Sequence, residues 1–435
     1  MLEYLRLDNV GPAPVMELAL APRLNLLTGD NGLGKSFLLD VAWWALTRKW
    51  PRDVNPRLLS GYRARPHDIR KPARIKYRVE SKSKPVEYES TYSKADRGWT
   101  GKRGRPHDPG LVIYAHADGG FSVWDPARNY WKRDHEDDES ESDTPVPAYV
   151  FAPPDVWAGL HMKIDGRETR VCKGILDDWA LWIREDKEPA RRMAEVLASL
   201  SAAGETLTVG PLRPISVNDP GDYPTIDTPY GGSVSILHAS AGIRKVVALA
   251  YMLCWSWERH VAFAEEQGFK RTGRVILIVD ELESHLHPRW QRSILRSVLD
   301  VARVLHTNAQ VQLIAATHSP LIMASAEPLF DGKTDAWFDL DLNKKAHVVE
   351  LRKRPFVRHG DASRWLTSDA FDLEEARSIP AEEAIREAKA FAKRAKRPLD
   401  DAKAIDAKLR AAGLSDIDPF WVRWSYMMDE LKGSK

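Results

Sequence analysis

One stretch constrains this chain more than any other: Leu24–Ser36, LNLLTGDNGLGKS. A short apolar run, Leu24–Leu27, reads as a buried strand and breaks into a glycine-rich turn over Gly29–Gly34. Lys35 and Ser36 then open an apolar-periodic helix through Phe37, Leu38, Val41, Ala42, Ala45 and Leu46. Strand, G-x-x-x-x-G-K-S, helix is the order that a phosphate-binding loop requires. Gly29, Gly32 and Gly34 let the backbone fold tightly enough for several N–H groups to converge on one phosphate chain, with Asp30, Asn31, Leu33 and Phe37 completing the loop and helix start. The helix N-terminus adds its partial positive charge. Lys35 is expected to reach the β- and γ-phosphates, and the Ser36 hydroxyl to ligate Mg²⁺. A chance glycine-rich turn would lack the flanking strand and helix. The expected ligand is a nucleoside triphosphate with Mg²⁺.

The chain's 435 residues suffice for two or more domains, and its formal net charge of +2 does not by itself nominate nucleic acid as a partner. Cys172 and Cys254 lie far apart and outside any metal-ligand spacing, which suits a reduced, cytoplasmic protein. The start, MLEYLRLDNVG, lacks the pattern of a signal peptide. The longest apolar stretch, Val246–Trp257, ends at Glu258-Arg259 and reads as a buried helix, so no membrane partner is expected.

Leu2–Val10 and Val15–Leu20 read as a hairpin that leads into the strand before the phosphate loop. Arg57–Arg105 is basic, carrying Arg63, Arg65, Arg70, Lys71, Arg74, Lys76, Arg78, Lys82, Lys84, Lys102, Arg103 and Arg105. Two readings of this block stay open: a surface for a nucleic-acid backbone, DNA included, or the solvated face of a small antiparallel sheet. Within it Ala73–Glu80 and Val86–Tyr92 look like strands, and Leu111–Ala115 follows as a third. Asp134–Asp143 is an acidic run without apolar residues. Gly174–Arg184 and Pro189–Ser201 are helical by spacing, with Trp179 and Trp182 on core positions.

A second set of residues completes the nucleotide chemistry. HASAGIRK, His238–Lys245, opens a long apolar helix. Arg274–Asp280, RVILIVD, reads as a strand buried on both faces, ending in Asp280-Glu281. An acid at that strand end is placed to hold Mg²⁺, and Glu281 to polarise the attacking water. Another strand, Gln310–Ala316, leads into Thr317-His318-Ser319, where His318 can reach the γ-phosphate.

In this order the pieces resemble an ABC-type ATPase head of the SMC/RecF and OLD (overcoming lysogenization defect) kind, over roughly residues 1–350. The residues that carry the resemblance are Gly29–Ser36, Ala239–Gly242 in the place of an LSGG-like signature, Asp280-Glu281, the D-loop-like ESHLHP over Glu283–Pro288, and His318. The resemblance implies composite ATP sites, in which Ser240 and Gly242 of one subunit close the nucleotide of another, and hence at least a dimer. Ala239 and Ala241 depart from the usual signature, and no glutamine lies between the phosphate loop and Ser240. The usual glutamine-loop residue is therefore missing, and Tyr149–Asp155 is a candidate to couple in its place. His285 and His287 are two apart and read as fold residues, with no metal assigned to them.

Proline, glycine and tryptophan between the phosphate loop and Ser240 exclude the long coiled coil of SMC proteins. Asp339-Leu340-Asp341 has the spacing of a Toprim nuclease motif but follows His318 too closely, so it reads as a loop or strand edge. Ala362–Glu383 resembles the region after the ATPase in the ATPase subunit of Septu-type anti-phage systems, whose nuclease is a separate HNH-family protein. The resemblance implies an ATPase that controls a separate nuclease, HNH-type or Toprim-type; the alternative is a RecF-like repair ATPase acting on DNA. Phe420, Trp421, Trp424, Met427, Met428 and Leu431 form an aromatic stripe that suits docking a partner or packing within the chain.

The expected architecture is α/β: a P-loop ABC-type head with a mixed sheet and flanking helices, a variable basic lobe and a helical C-terminal appendage. Its expected segments are 1–56 with the phosphate loop, 57–145 as the basic lobe, 146–350 as the rest of the head, and 351–435 as the appendage.

Overall fold

The computed structural model describes residues 1–80, 86–100, 108–129, 148–164, 166–202, 204–228 and 231–433, arranged in two units, Met1–Gly360 and Asp361–Lys435. The acidic run Asp134–Asp143 and the bases Lys82, Lys84, Lys102, Arg103 and Arg105 lie outside the described residues.

Alternating apolar residues at the start form β1 (Leu2–Val10) and β2 (Ala13–Ala19), an antiparallel hairpin that turns through Gly11 at φ +76°. The buried run after it is β3 (Leu24–Gly29), followed by α1 (Lys35–Thr47) and the short α2 (Pro51–Val54). β4 (Arg74–Val79), β5 (Val86–Ser93) and β6 (Gly98–Trp99) extend the hairpin into a sheet of order β2-β1-β4-β5-β6. The next strands, β7 (Leu111–Ala115) and β8 (Phe121–Trp124), leave that sheet for a larger one, with the short α3 (Pro126–Asn129) after them. Residues 57–145 thus contribute strands to both sheets.

β9 (Tyr149–Phe151) completes one edge of the larger sheet and precedes α4 (Pro153–Ala158). A hairpin of β10 (Leu160–Ile164) and β11 (Arg167–Cys172) comes next, then α5 (Ile175–Arg184) and α6 (Glu188–Leu200). Trp179 and Trp182 are buried on α5, on the core positions that their spacing indicates. A small sheet of β12 (Thr208–Val209), β13 (Thr225–Asp227) and β14 (Ser233–Ser235) leads into the long α7 (Ala241–Glu266). The core then alternates strand and helix: β15 (Arg274–Val279), α8 (Pro288–Leu305), β16 (Gln310–Ala316), α9 (Pro320–Ala326), β17 (Asp335–Asn343) and β18 (Val348–Arg354).

The larger sheet has the order β18-β17-β3-β16-β15-β7-β8-β9. Its inner strands β17, β3, β16, β15 and β7 run parallel, and β18, β8 and β9 join antiparallel. This is a mixed α/β P-loop head. β17 and β18 belong to it, so the first unit ends at Gly360, beyond the boundary expected at 350.

α1 is buried along almost its whole length, as expected for a helix that is apolar nearly all round. Two adjacent tryptophans tie it to both sheets. Trp44 lies 6.1 Å from Tyr77 of β4, ring centre to ring centre, while Trp43 lies 6.3 Å from Tyr114 of β7. Gln312 of β16 adds a polar clasp: its amide accepts from Leu2 N at 2.9 Å and donates to the Leu2 carbonyl at 2.8 Å.

Register decides the fate of many bases in the 57–105 block. Arg74 and Lys76 of β4 stand 3.8 and 3.4 Å from Glu89 of β5, and the Arg78 guanidinium sits over the Tyr4 ring at 5.5 Å. Arg63 pairs with Asp53 at 2.6 Å and Arg70 with Asp68 at 3.0 Å. These pairs lie near solvent, where screening leaves them little effect on stability. Their effect is to neutralise charge locally.

The second unit holds α10 (Ala362–Leu366), α11 (Ile379–Ala392), α12 (Leu399–Ala411) and α13 (Phe420–Gly433). Trp424, Met427 and Met428 of α13 are buried in one cluster with Phe391 of α11 and Ile405 and Leu409 of α12. Phe420, Trp421 and Leu431 pack against the same cluster, and Trp424 Nε1 donates to Asp406 at 2.9 Å. The aromatic stripe is therefore spent inside its own helical unit. Val422 and Tyr426 remain on the outside, 73% and 77% exposed.

Candidate functional site

The phosphate loop sits where β3 ends against its neighbours. Gly29, Gly32 and Gly34 all have left-handed φ, at +129°, +81° and +103°. At Gly29 a Cβ would lie 2.1 Å from the Leu340 carbonyl of β17, so only glycine fits between the strands. Asp30, Asn31 and Leu33 occupy the turn between these glycines, Gly34 precedes the first turn of α1, and Phe37 follows Ser36 within it. Lys35 is buried and its Nζ donates to the carbonyls of Gly29 at 2.7 Å and Asp30 at 2.8 Å. Its ammonium thereby closes over the loop. Burial lowers it to about 8, opposed by the charges of Asp280, Asp30, Glu283 and Glu281.

Parallel pairing brings the other candidates to the same end of the sheet. Asp280 follows β15 and is almost fully buried, and its backbone N–H donates to the Ala115 carbonyl of β7 at 3.0 Å. Burial raises its carboxyl above the usual range, while the hydrogen bond from the Ser36 hydroxyl pulls the other way. A buried carboxylate and a hydroxyl in contact are hard oxygen donors. That donor set fits Mg²⁺, which takes few protein ligands and completes its shell from phosphates and water. Among the described residues no group of three or more His, Cys, Asp or Glu side chains is arranged to hold a metal. His287 instead caps α8, accepting from Arg289 N at 3.3 Å, and His285 has a left-handed backbone.

Glu281 is a non-glycine residue at φ +48°, and Lys245 Nζ donates to its carbonyl at 2.6 Å. Glu283 reaches forward: its carboxylate accepts from the Thr317 hydroxyl at 2.7 Å and from the His318 N–H at 2.5 Å. Gln291 of α8 bridges the same two loops, donating to the Leu286 carbonyl at 2.9 Å and accepting from the Ser319 hydroxyl at 2.7 Å. Burial, and then Lys35, lower His318 below its usual value. Ser240 caps α7 and is exposed with Ala241, and Gly242 lies tight against the His285 carbonyl.

The sheet therefore gathers Lys35, Ser36, Asp280, Glu281 and His318 at one place. Three contacts were not foreseen from the sequence: those of Lys245 and Gln291, and the clamp made by Glu283, which was read only as part of ESHLHP. Lys245 and Gln291 carry no motif of their own, and only their contacts distinguish them from solvated helix residues.

The strand beside β15 on the side away from β16 is β7, which ends at Ala115-His116. His116 is held between the Ser60 and Ser122 hydroxyls at 3.0 and 2.8 Å, and burial lowers it to about 3. Tyr114 donates to Asp40 of α1 at 3.0 Å. Tyr149–Asp155 starts on β9, two strands farther out, where Asp155 accepts from Asn55 at 2.9 Å and Arg57 at 2.8 Å. Asp339, of the Asp-x-Asp pair, is a buried residue of β17 that accepts from Thr28 at 3.0 Å and pairs with Arg354 at 3.3 Å.

Outside the loop a cavity of about 770 Å³ runs from Gly32, Gly34 and Phe37 to Pro12, Tyr62 and Arg63. The Arg52 guanidinium stacks over Tyr62 at 4.4 Å on its wall.

Strand order and loop order together define an ABC-type P-loop ATPase head. The chain belongs to the family described as "AAA domain, putative AbiEii toxin, Type IV TA system", whose model matches residues 24–324. It is similar to the "Retron Vc95 probable ATPase" of Vibrio cholerae serotype O1 biovar El Tor, 30% identical over 22% of this chain and 17% of that protein. It is also similar to the Septu protein PtuA of Bacillus thuringiensis, 27% identical over 36% of this chain and 37% of that protein. In the PtuA of Bacillus mycoides (strain KBAB4) the match is 32% identical and spans 12% of that protein. The matched regions thus cover only a minor part of each relative. Among solved structures, the Smc head bound to the C-winged helix domain of ScpA aligns over 81% of this chain and 97% of that one, at 13% identity and a TM-score of 0.41. RecF aligns over 81% and 98%, at 12% identity and a TM-score of 0.37. Among the described residues, no helix is long and apolar enough to cross a membrane.

Proposed function

We propose that this chain binds ATP with Mg²⁺ and hydrolyses it to ADP and phosphate. The single observation that carries the reading is the convergence of Lys35, Ser36, Asp280, Glu281 and His318 at one end of the parallel sheet, on a phosphate loop whose lysine is poised over its own carbonyls. Lys35 neutralises phosphate charge, and the N–H groups from Gly29 to Phe37 cradle the phosphates. Ser36 and Asp280 would hold Mg²⁺, which supplies charge neutralisation across the phosphates. Glu281 orients the attacking water. His318, its backbone fixed by Glu283, is placed to meet the γ-phosphate. The base and ribose would extend into the cavity toward Tyr62 and Arg63. Turnover assays on wild type, Lys35→Ala and Glu281→Gln test this directly.

The exposed Ser240 turn supports a composite site closed by a second copy, so the competent species is at least a dimer. The resemblance to Septu and retron proteins supports a place in anti-phage defence, with a separate nuclease subunit under the control of this ATPase. Co-purification with the product of a neighbouring nuclease gene, and its loss in Lys35→Ala, tests that step. A role on DNA is the weaker reading, because Arg63 and Arg70 each pair with an acid and Arg74 and Lys76 share Glu89.

A further inference from the structure

The start of α7 is latched to the Asp280–His285 segment at two points. Lys245 Nζ donates to the Glu281 carbonyl at 2.6 Å, and a Cβ at Gly242 would lie 2.7 Å from the His285 carbonyl. Both residues met in this way are non-glycine residues in the left-handed region, Glu281 at φ +48° and His285 at φ +62°. Such conformations persist only where the surroundings over-determine them. A charged donor on a carbonyl is a strong restraint, and here it is half-buried beside Glu283, Glu281 and Asp280.

We propose that Lys245 is a positioning residue for Glu281. By gripping the Glu281 carbonyl it fixes the left-handed backbone that aims the Glu281 carboxylate, so that the acid's direction depends on where the start of α7 lies. This inference rests on the hydrolytic reading above.

The test compares steady-state ATP turnover and binding of a fluorescent ATP analogue in the full-length wild type, Lys245→Met and Lys245→Arg. Lys245→Met is expected to lower kcat roughly ten- to a hundredfold, the scale of a misplaced reacting group, with KM and analogue affinity unchanged within about twofold. Lys245→Arg, which keeps a charged donor, recovers part of the loss. In a Glu281→Gln background, adding Lys245→Met leaves the residual single-turnover rate unchanged, because the residue acts through Glu281. An unchanged kcat overturns the inference. So does a loss that appears in KM or in affinity, which would mean that Lys245 meets phosphate directly. An equal further loss in the Glu281→Gln background, or loss of analogue binding in both substitutions, also overturns it. Wild type without turnover refutes the hydrolytic reading itself, before any substitution is made.

Discussion

Glu283 holds the backbone of His318: its carboxylate accepts the His318 N–H at 2.5 Å while the Thr317 hydroxyl donates to its other oxygen at 2.7 Å. An acid from the loop after β15 thus sets the position of the histidine after β16. Removing the carboxylate leaves a half-buried N–H and hydroxyl without their partner, at a cost of about 1–3 kcal/mol. Glu283→Ala is expected to lower Tm by a few degrees and to reduce kcat with ATP binding retained. A variant with wild-type kcat would show that His318 does not depend on this clamp.

Lys35 and Glu281 are expected to separate binding from turnover. Lys35→Ala removes the cation that meets ground-state phosphate and should abolish ATP binding. Glu281→Gln should bind normally and lose turnover, because the carboxylate acts on the attacking water. Hydrolysis by Glu281→Gln at the wild-type rate would remove Glu281 from the mechanism.

Affinity for ATP should depend on pH through Lys35. Burial lowers this lysine to about 8, and an anionic phosphate favours its charged form. Below about pH 8 the free protein already carries the proton. Above it, binding must take up a proton, so affinity weakens by up to about tenfold per pH unit. Analogue titrations from neutral to alkaline pH measure this, and a flat profile would contradict it.

Asp40 offers a stability test with a definite sign. Burial raises its carboxyl to about 8, Asp280 adds to the rise, and the hydrogen bonds from Tyr114 and the Gly61 N–H oppose it. The folded state therefore binds this proton more tightly than the unfolded chain does. The resulting stability penalty is absent below about pH 4 and grows to its full size near pH 8. Asp40→Asn, a neutral isostere, should raise Tm relative to wild type at pH 8 and lose that advantage near pH 4, in thermal melts without nucleotide. Destabilisation at pH 8 would mean that the charged form is favoured.

Trp424 should be a cornerstone of the C-terminal unit. Its burial beside Phe391 and its bond to Asp406 predict that Trp424→Ala costs about 3–5 kcal/mol and unfolds α11–α13. Loss of helical circular dichroism, with ATP binding by the first unit kept, is the expected result. Unchanged helicity would mean that the stripe is not the unit's core.

Much of the candidate site was legible in the chain itself. Leu24–Ser36, Arg274–Glu281 and Gln310–His318 each join a buried strand to a chemically loaded turn, and both the apolar periodicity and the turn residues are local properties. The α13 stripe was legible too, as an apolar face. Which surface covers it was not, because periodicity records that a face is buried and not against what. Tertiary structure chose α11 and α12. Likewise the bases of β4 formed a block in one dimension, and antiparallel register then set Lys76 opposite Glu89 and Arg74 on the diagonal to it. The contacts that tune the site, Glu283 to His318 and Lys245 to Glu281, join residues 35 and 36 positions apart. No local pattern encodes such pairs. They exist only once parallel pairing of β15 with β16 brings both strand ends to one edge and α7 lays its first turn against them, because hydrogen bonds of this kind are set by ångström-scale position rather than by composition.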